Sequence, residues 1–115
     1  MTQKVITVNG KTYSIIFTLK TLSNFEEITG KSFFSADLDL LKNRIAIICA
    51  AAIAADKDTT LTVEDLRGNE TWDDYVQIAG AYTEVMTLAK EFFPVPKVEG
   101  QQDDEPVVEE QDAKN

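Results

Sequence analysis

The sequence predicts a mainly helical α+β fold: an N-terminal β-hairpin, three to four helices and a disordered acidic C-terminal tail. An Asn-Gly pair between two alternating runs near the start predicts the hairpin. Apolar residues spaced by three and four, punctuated by Thr and Gly, predict the helices. A change of composition at Pro94-Val95-Pro96 predicts the tail. With 115 residues the chain holds one domain with a modest core, placed at 1–93, and 94–115 lies outside it.

The hairpin spans residues 4–17. Asn9-Gly10 suits a two-residue type I′ turn, since both positions tolerate positive φ. Such a turn pairs Val8 with Lys11, Ile6 with Tyr13 and Lys4 with Ile15. Ile6, Val8, Tyr13, Ile15 and Phe17 then share one face, while Val5, Thr7, Thr12, Ser14 and Ile16 share the other. A lone two-stranded hairpin is marginal in water, so its apolar face must lie on helices or its edge must pair with something else.

The first helix is expected from about Leu19 to Thr29. Thr18 caps it, Gly30 stops it, and Leu19, Leu22, Phe25 and Ile28 form its inner stripe. The second is expected from about Leu38 to Ala55, with Ser35 or Asp37 near its start. Its alanines leave little polar face, which predicts a central, closely packed helix. Asp56 to Thr60 reads as a loop, and Thr62-Val63-Glu64-Asp65 opens a short helix closed by Gly68-Asn69. The last helix is capped at Thr71 to Asp74 and runs to about Phe92 or Phe93. Its expected stripe is Trp72, Tyr75, Val76, Ala79, Tyr82, Val85, Met86, Ala89 and Phe93. Beyond it, 94–115 holds seven acidic residues, two lysines and no aromatic ring. Such a segment buries too little apolar surface to offset its ordering entropy.

Composition excludes several functions. The net charge is −9, with 20 acidic and 11 basic residues, so neither a nucleic-acid backbone nor an anionic membrane is an expected partner. With no histidine, the Ser/His/Asp and Cys/His nucleophile systems are absent. A single cysteine, Cys49, forms no internal disulfide, and among Ile47, Ile48 and Ala50 it reads as a small buried thiol. The longest apolar run, Ile45 to Ala55, has 11 residues, whereas a membrane span needs roughly 20. A soluble cytoplasmic protein is expected.

Two motifs fail on inspection. Gly30-Lys31-Ser32 imitates a phosphate loop, but Phe25 stands where its first glycine belongs, and the segment follows a helix instead of a strand. Asp56-x-Asp58-x-Thr60 imitates a calcium loop, but Leu61 replaces the glycine and Arg67 the closing glutamate. The pairs Glu26/Glu27 and Asp73/Asp74 are adjacent, so on a helix they diverge by about 100° and are poorly placed to share one substrate atom. No enzyme is expected, no cofactor and no metal. The aromatic residues are the more informative group. Phe33, Phe34, Trp72, Tyr75, Tyr82, Phe92 and Phe93 are too many for a domain of this size to enclose easily, and those left partly exposed are the candidate protein-binding residues.

Asn9-Gly10-Lys11-Thr12-Tyr13, then Phe17-Thr18-Leu19, then Glu26-Glu27-Ile28-Thr29-Gly30-Lys31-Ser32 resembles the opening of the tail assembly chaperones of long-tailed bacteriophages and prophages. That family shows an NGKxY hairpin, an FTL helix entry and an EExTGKS helix exit. The likeness continues in outline through the alanine-rich helix, Leu61 to Asp65 as an LTxED helix start, and the acidic tail. The resemblance implies an assembly factor of the host bacterial cytoplasm that is missing from the mature virion. Its implied partners are the tape-measure protein, which it coats and solubilises, and the tail-tube protein, which it helps recruit. On this view the second and last helices form an apolar groove, the tail stays outside or contacts tube subunits, and the hairpin edge supports self-association by strand addition. The competing expectations are a small structural tail or connector protein of the virion, and an acidic inhibitor that mimics DNA.

Overall fold

A computed structural model describes residues 2–67 and 71–93. The expectations of a disordered 94–115 tail and of a helix stop at Gly68-Asn69 lie outside the described residues. Strands β1 (Lys4–Val8) and β2 (Lys11–Ile15) form an antiparallel hairpin. Helices α1 (Leu19–Thr29), α2 (Leu41–Ala55), α3 (Val63–Arg67) and α4 (Trp72–Phe92) follow, with a 3₁₀ turn at Phe33–Ser35. The hairpin register is the expected one: Val8 opposite Lys11, Ile6 opposite Tyr13, Lys4 opposite Ile15. Asn9 and Gly10 adopt φ of 53° and 80°, the double left-handed turn whose twist matches the strands. Ile6, Val8, Ile15 and Phe17 are buried, and Tyr13 packs partly against them.

Helix α2 is the axis of the fold. Every residue from Ile45 to Ala52 is buried, because α1, β2, α3 and α4 pack around it. Small side chains allow that close approach, and Ile16 N–H even donates to the α2 carbonyl of Ala51 at 3.3 Å. The hairpin is held from its other strand too: β1 packs on α4, and Lys4 Nζ lies 3.4 Å from a Glu84 carboxylate oxygen. At the turn, Asn9 N–H donates to Gln77 Oε1 at 2.9 Å, and Asn9 Nδ2 donates to the Asp65 carbonyl at 3.2 Å.

Three expectations are corrected. The start of α2 is Leu41, not Leu38, and no side chain caps it. Asp37 is spent on a turn instead: its carboxylate accepts from Asp39 N–H at 2.9 Å, and its carbonyl accepts from Asn43 Nδ2 at 2.8 Å. Ser35 closes the 3₁₀ turn that Ser32 opens. Second, the inner row of α1 is Thr21 and Phe25, with Leu22 beside them; Leu19 is 73% exposed and Ile28 is also at the surface. Thr21 is drawn inward because its hydroxyl accepts from Thr18 N–H (3.0 Å) and donates to the Ile16 carbonyl (2.9 Å), which turns Leu19 outward. Third, the buried row of α4 is Ile78, Ala81, Val85, Leu88 and Ala89. Of the expected stripe only Val85 and Ala89 belong to it, while Trp72, Tyr75 and Val76 are exposed. Both rows keep helical spacing, and the one with slimmer side chains faces α2 and the hairpin.

Candidate partner-binding surface

The surface begins with how α4 starts. Thr71 and Asp74 form a reciprocal cap: Asp74 N–H donates to Thr71 Oγ1 at 3.2 Å, and the Asp74 carboxylate accepts from Thr71 N–H at 3.2 Å. Asp73 and Asp74 also place negative charge at the positive end of the helix. The cap fixes where the first turn points. With Ile78, Ala81 and Val85 turned inward, Trp72, Tyr75 and Val76 must project outward, at 73%, 40% and 51% exposure. Trp72 and Tyr75 stack with centroids 5.1 Å apart and planes 23° apart. An exposed stacked pair of this kind presents a rigid apolar face with little rotamer entropy left to lose on binding.

Between this pair and α2 runs an open groove of about 470 Å³. Ile45, Leu66 and Ile78 are its buried residues, Leu41 and Tyr75 are its exposed apolar ones, and Lys42 and Arg67 bring positive charge to it. Sequence reading places a groove between the second and last helices; here α3 supplies a further wall through Leu66 and Arg67. Farther along α4, Tyr82 is half-buried under the Arg44 guanidinium, 4.8 Å from its ring centre. Burial pushes the Tyr82 hydroxyl above its ordinary pKa, the nearby Arg44 charge opposes that, and Asp39 adds to it. Arg44 is itself held by the Leu38 carbonyl and by Asp39, 3.6 Å away.

The candidate aromatic residues divide into groups at the two ends of α4. Tyr75 borders the groove, Trp72 stacks on Tyr75, and Tyr82 lies midway. Phe33, Phe34, Phe92 and Phe93 gather at the far end with Phe17, Phe33 and Phe93 lying 5.7 and 5.6 Å from the Phe17 ring. Phe33 is buried there, Phe92 and Phe93 are half-buried, and Phe34 stands out at 73% exposure. The structure does not bring these residues into one patch, since α4 is 21 residues long, about 30 Å at 1.5 Å per residue. Sequence reading missed Leu40 and Leu41 as surface residues. No sequence signal marked them, since Asp37 and Asp39 are both favoured cap residues and the helix begins past both, with Leu40 at the cap position.

Chemistry is sparse. Among the described residues no group of three or more His, Cys, Asp or Glu is placed to hold a metal ion, and no helix is long and apolar enough to cross a membrane. Burial, with a smaller contribution from the Asp65 charge, pushes the Cys49 thiol up to about 12, which leaves it protonated and inert at neutral pH. No protein-family model, no curated protein and no solved structure matches the chain.

Proposed function

We propose that this chain is a tail assembly chaperone of a long-tailed phage or prophage, a non-catalytic protein that binds an apolar helical stretch of the tape-measure protein and helps recruit tail-tube subunits. The observation that supports it most is the apolar groove between the first turns of α2 and α4, with Leu41, Tyr75 and the Trp72 ring beside it. A groove of this shape takes an amphipathic helix, whose side chains at i, i+3 and i+4 enter between the two walls. A long tape-measure helix left bare would expose apolar patches well above what soluble proteins tolerate. Many small acidic subunits seated along it would cover those patches and keep the loaded assembly in solution by mutual repulsion. The family likeness in residues 9–32 supplies the identity of the partner.

Co-expression with the tape-measure protein encoded in the same phage genome is the test. The wild-type chain should keep that protein soluble and co-purify with it. Trp72→Ala should weaken the complex by about 30-fold, the effect of losing about 2 kcal/mol at an interface tryptophan. If the tape-measure protein is equally insoluble with and without the chain, or the chain is found by mass spectrometry inside purified virions, the reading fails.

A further inference from the structure

A second hollow, of about 260 Å³, lies between the end of α1, the first turn of α2 and Val63. Lys42 borders both it and the groove beside Tyr75. Asn43 marks the hollow. With Lys42 it shares a wall with Ala46, because positions three and four apart lie on one helix face. Asn43 is only 5% exposed, and its Nδ2 donates to the Asp37 carbonyl at 2.8 Å. Among the described residues no N–H or O–H reaches its Oδ1. A buried carbonyl oxygen without a donor is uncommon and costly. Thr29, on the α1 wall, does not supply one: its hydroxyl donates to the Phe25 carbonyl at 2.9 Å and accepts from Lys31 N–H at 3.1 Å.

Lys31 and Lys42 stand exposed at the same hollow. The ion pairs among the described residues use Lys4, Arg44 and Arg67, so neither of these two lysines has a carboxylate partner there. In a chain of net charge −9 they make a local reversal of sign. Ile28, Ala46 and Val63 add aliphatic surface.

These groups set three requirements for a ligand: an N–H for Asn43 Oδ1, negative charge for the lysines, and a small aliphatic group. An internal residue of a helix or strand does not meet them together, because its N–H is already paired and its carboxylate takes the place of an aliphatic side chain. An N-acylated aliphatic amino acid does, and the last residue of a polypeptide is one. Val, Leu or Ile at a C-terminus carries the carboxylate, the apolar side chain and an unpaired amide N–H on a single Cα. Capture of a terminal carboxylate is a general mode of peptide binding. The hollow is smaller than the roughly 300–1,000 Å³ of drug-sized sites, which suits one terminal residue and not a helix.

We propose that this hollow binds the C-terminal residue of a partner polypeptide ending in Val, Leu or Ile. The carboxylate lies between Lys31 and Lys42, the terminal amide N–H donates to Asn43 Oδ1, and the side chain rests on Ile28, Ala46 and Val63. The site is distinct from the groove that takes an apolar helix, and it does not rest on that reading.

The test is an NMR titration of the full chain with acetyl-Ala-Ala-Ala-Leu, free at its C-terminus. The backbone amides of Lys31, Asn43, Ala46 and Val63 should shift, while those of the hairpin stay in place. Three analogues each remove one contact and leave the protein intact: the C-terminal amide, the peptide N-methylated at its last bond, and a peptide ending in glycine. Each should bind about 5-fold more weakly or worse. In K31E/K42E the free acid should bind no better than the amide, and in the wild-type chain salt at about 1 M should narrow the gap between them. N-Acetylleucine carries the same three groups with no chain behind them and should bind more weakly than the peptide; equal binding would assign the hollow to a free acyl amino acid and overturn the partner-chain reading. Absence of shifts at these four amides with about 10 mM peptide, beyond the millimolar range expected of so small a contact, would overturn the proposal. Equal binding of acid and amide would do the same, as would shifts confined to Tyr75 and Ile78, which place the peptide in the groove.

Discussion

The division of the aromatic residues between core and surface can be measured with two substitutions of similar size. Phe17 is 4% exposed and touches Phe33, Phe92 and Phe93 with centroid distances of 5.7, 5.5 and 5.6 Å. Phe17→Ala removes a buried ring that packs against three others, so it should cost about 3–5 kcal/mol. A domain of this size has about 5–14 kcal/mol in total, so the loss is a large fraction of its stability. Trp72 is larger, yet 73% of it is already in water and its main contact is the exposed Tyr75 ring. Trp72→Ala should therefore cost only about 0.5–1 kcal/mol, the value of one aromatic pair. Urea unfolding followed by far-UV circular dichroism reads both without needing the tryptophan signal. With a slope of about 1–1.5 kcal/mol per molar urea, Phe17→Ala should lower the midpoint by about 3 M and Trp72→Ala by less than about 1 M. Equal losses in the two variants would refute the orientation of α4 and, with it, the surface assigned to the first turn.

Other outcomes follow from single features. Thr21→Val keeps the shape of a fully buried side chain but strands the Thr18 N–H and the Ile16 carbonyl; it should cost about 1–3 kcal/mol in the same urea assay. Gly30 ends α1 at φ 77° with open space around its missing Cβ, so Gly30→Ala should cost about 1 kcal/mol from backbone strain alone, read as a Tm lower by about 4–8 °C. Cys49 has its pKa raised from 9.0 to about 12 in the folded chain. Its contribution to stability is complete below 9.0 and declines as pH rises from there toward about 12, because only the unfolded chain releases the proton. The loss of stability between pH 9 and 11 should be smaller in Cys49→Ala, and thiol reagents should not label native Cys49 at neutral pH.

Elements with local causes were legible in the residue order. Asn9-Gly10 dictates a turn whose geometry sets the strand register, and Thr18, Thr71 and Gly30 mark helix ends through bonds to their own neighbours. The central place of α2 was legible too, because a helix with alanine and isoleucine on every side has nowhere else to go. The start of that helix was not. Whether Asp37 caps a helix or closes a turn depends on Asn43 and Arg44 reaching back to the Asp37 and Leu38 carbonyls, and propensity does not register that competition.

The candidate surface divides the same way. Residue order determined that this chain has more aromatic side chains than a small core encloses with ease, and that it lacks the histidines on which common nucleophile systems rely. Only packing decided which of two equally periodic rows of α4 turned inward. The choice fell on Ile78, Ala81, Val85, Leu88 and Ala89 because that row fits against α2 and β1. Once it was made, Trp72 and Tyr75 had to face water. The groove that Tyr75 borders exists only because residues 41–45, 66–67 and 71–78, distant in sequence, meet around one end of α2.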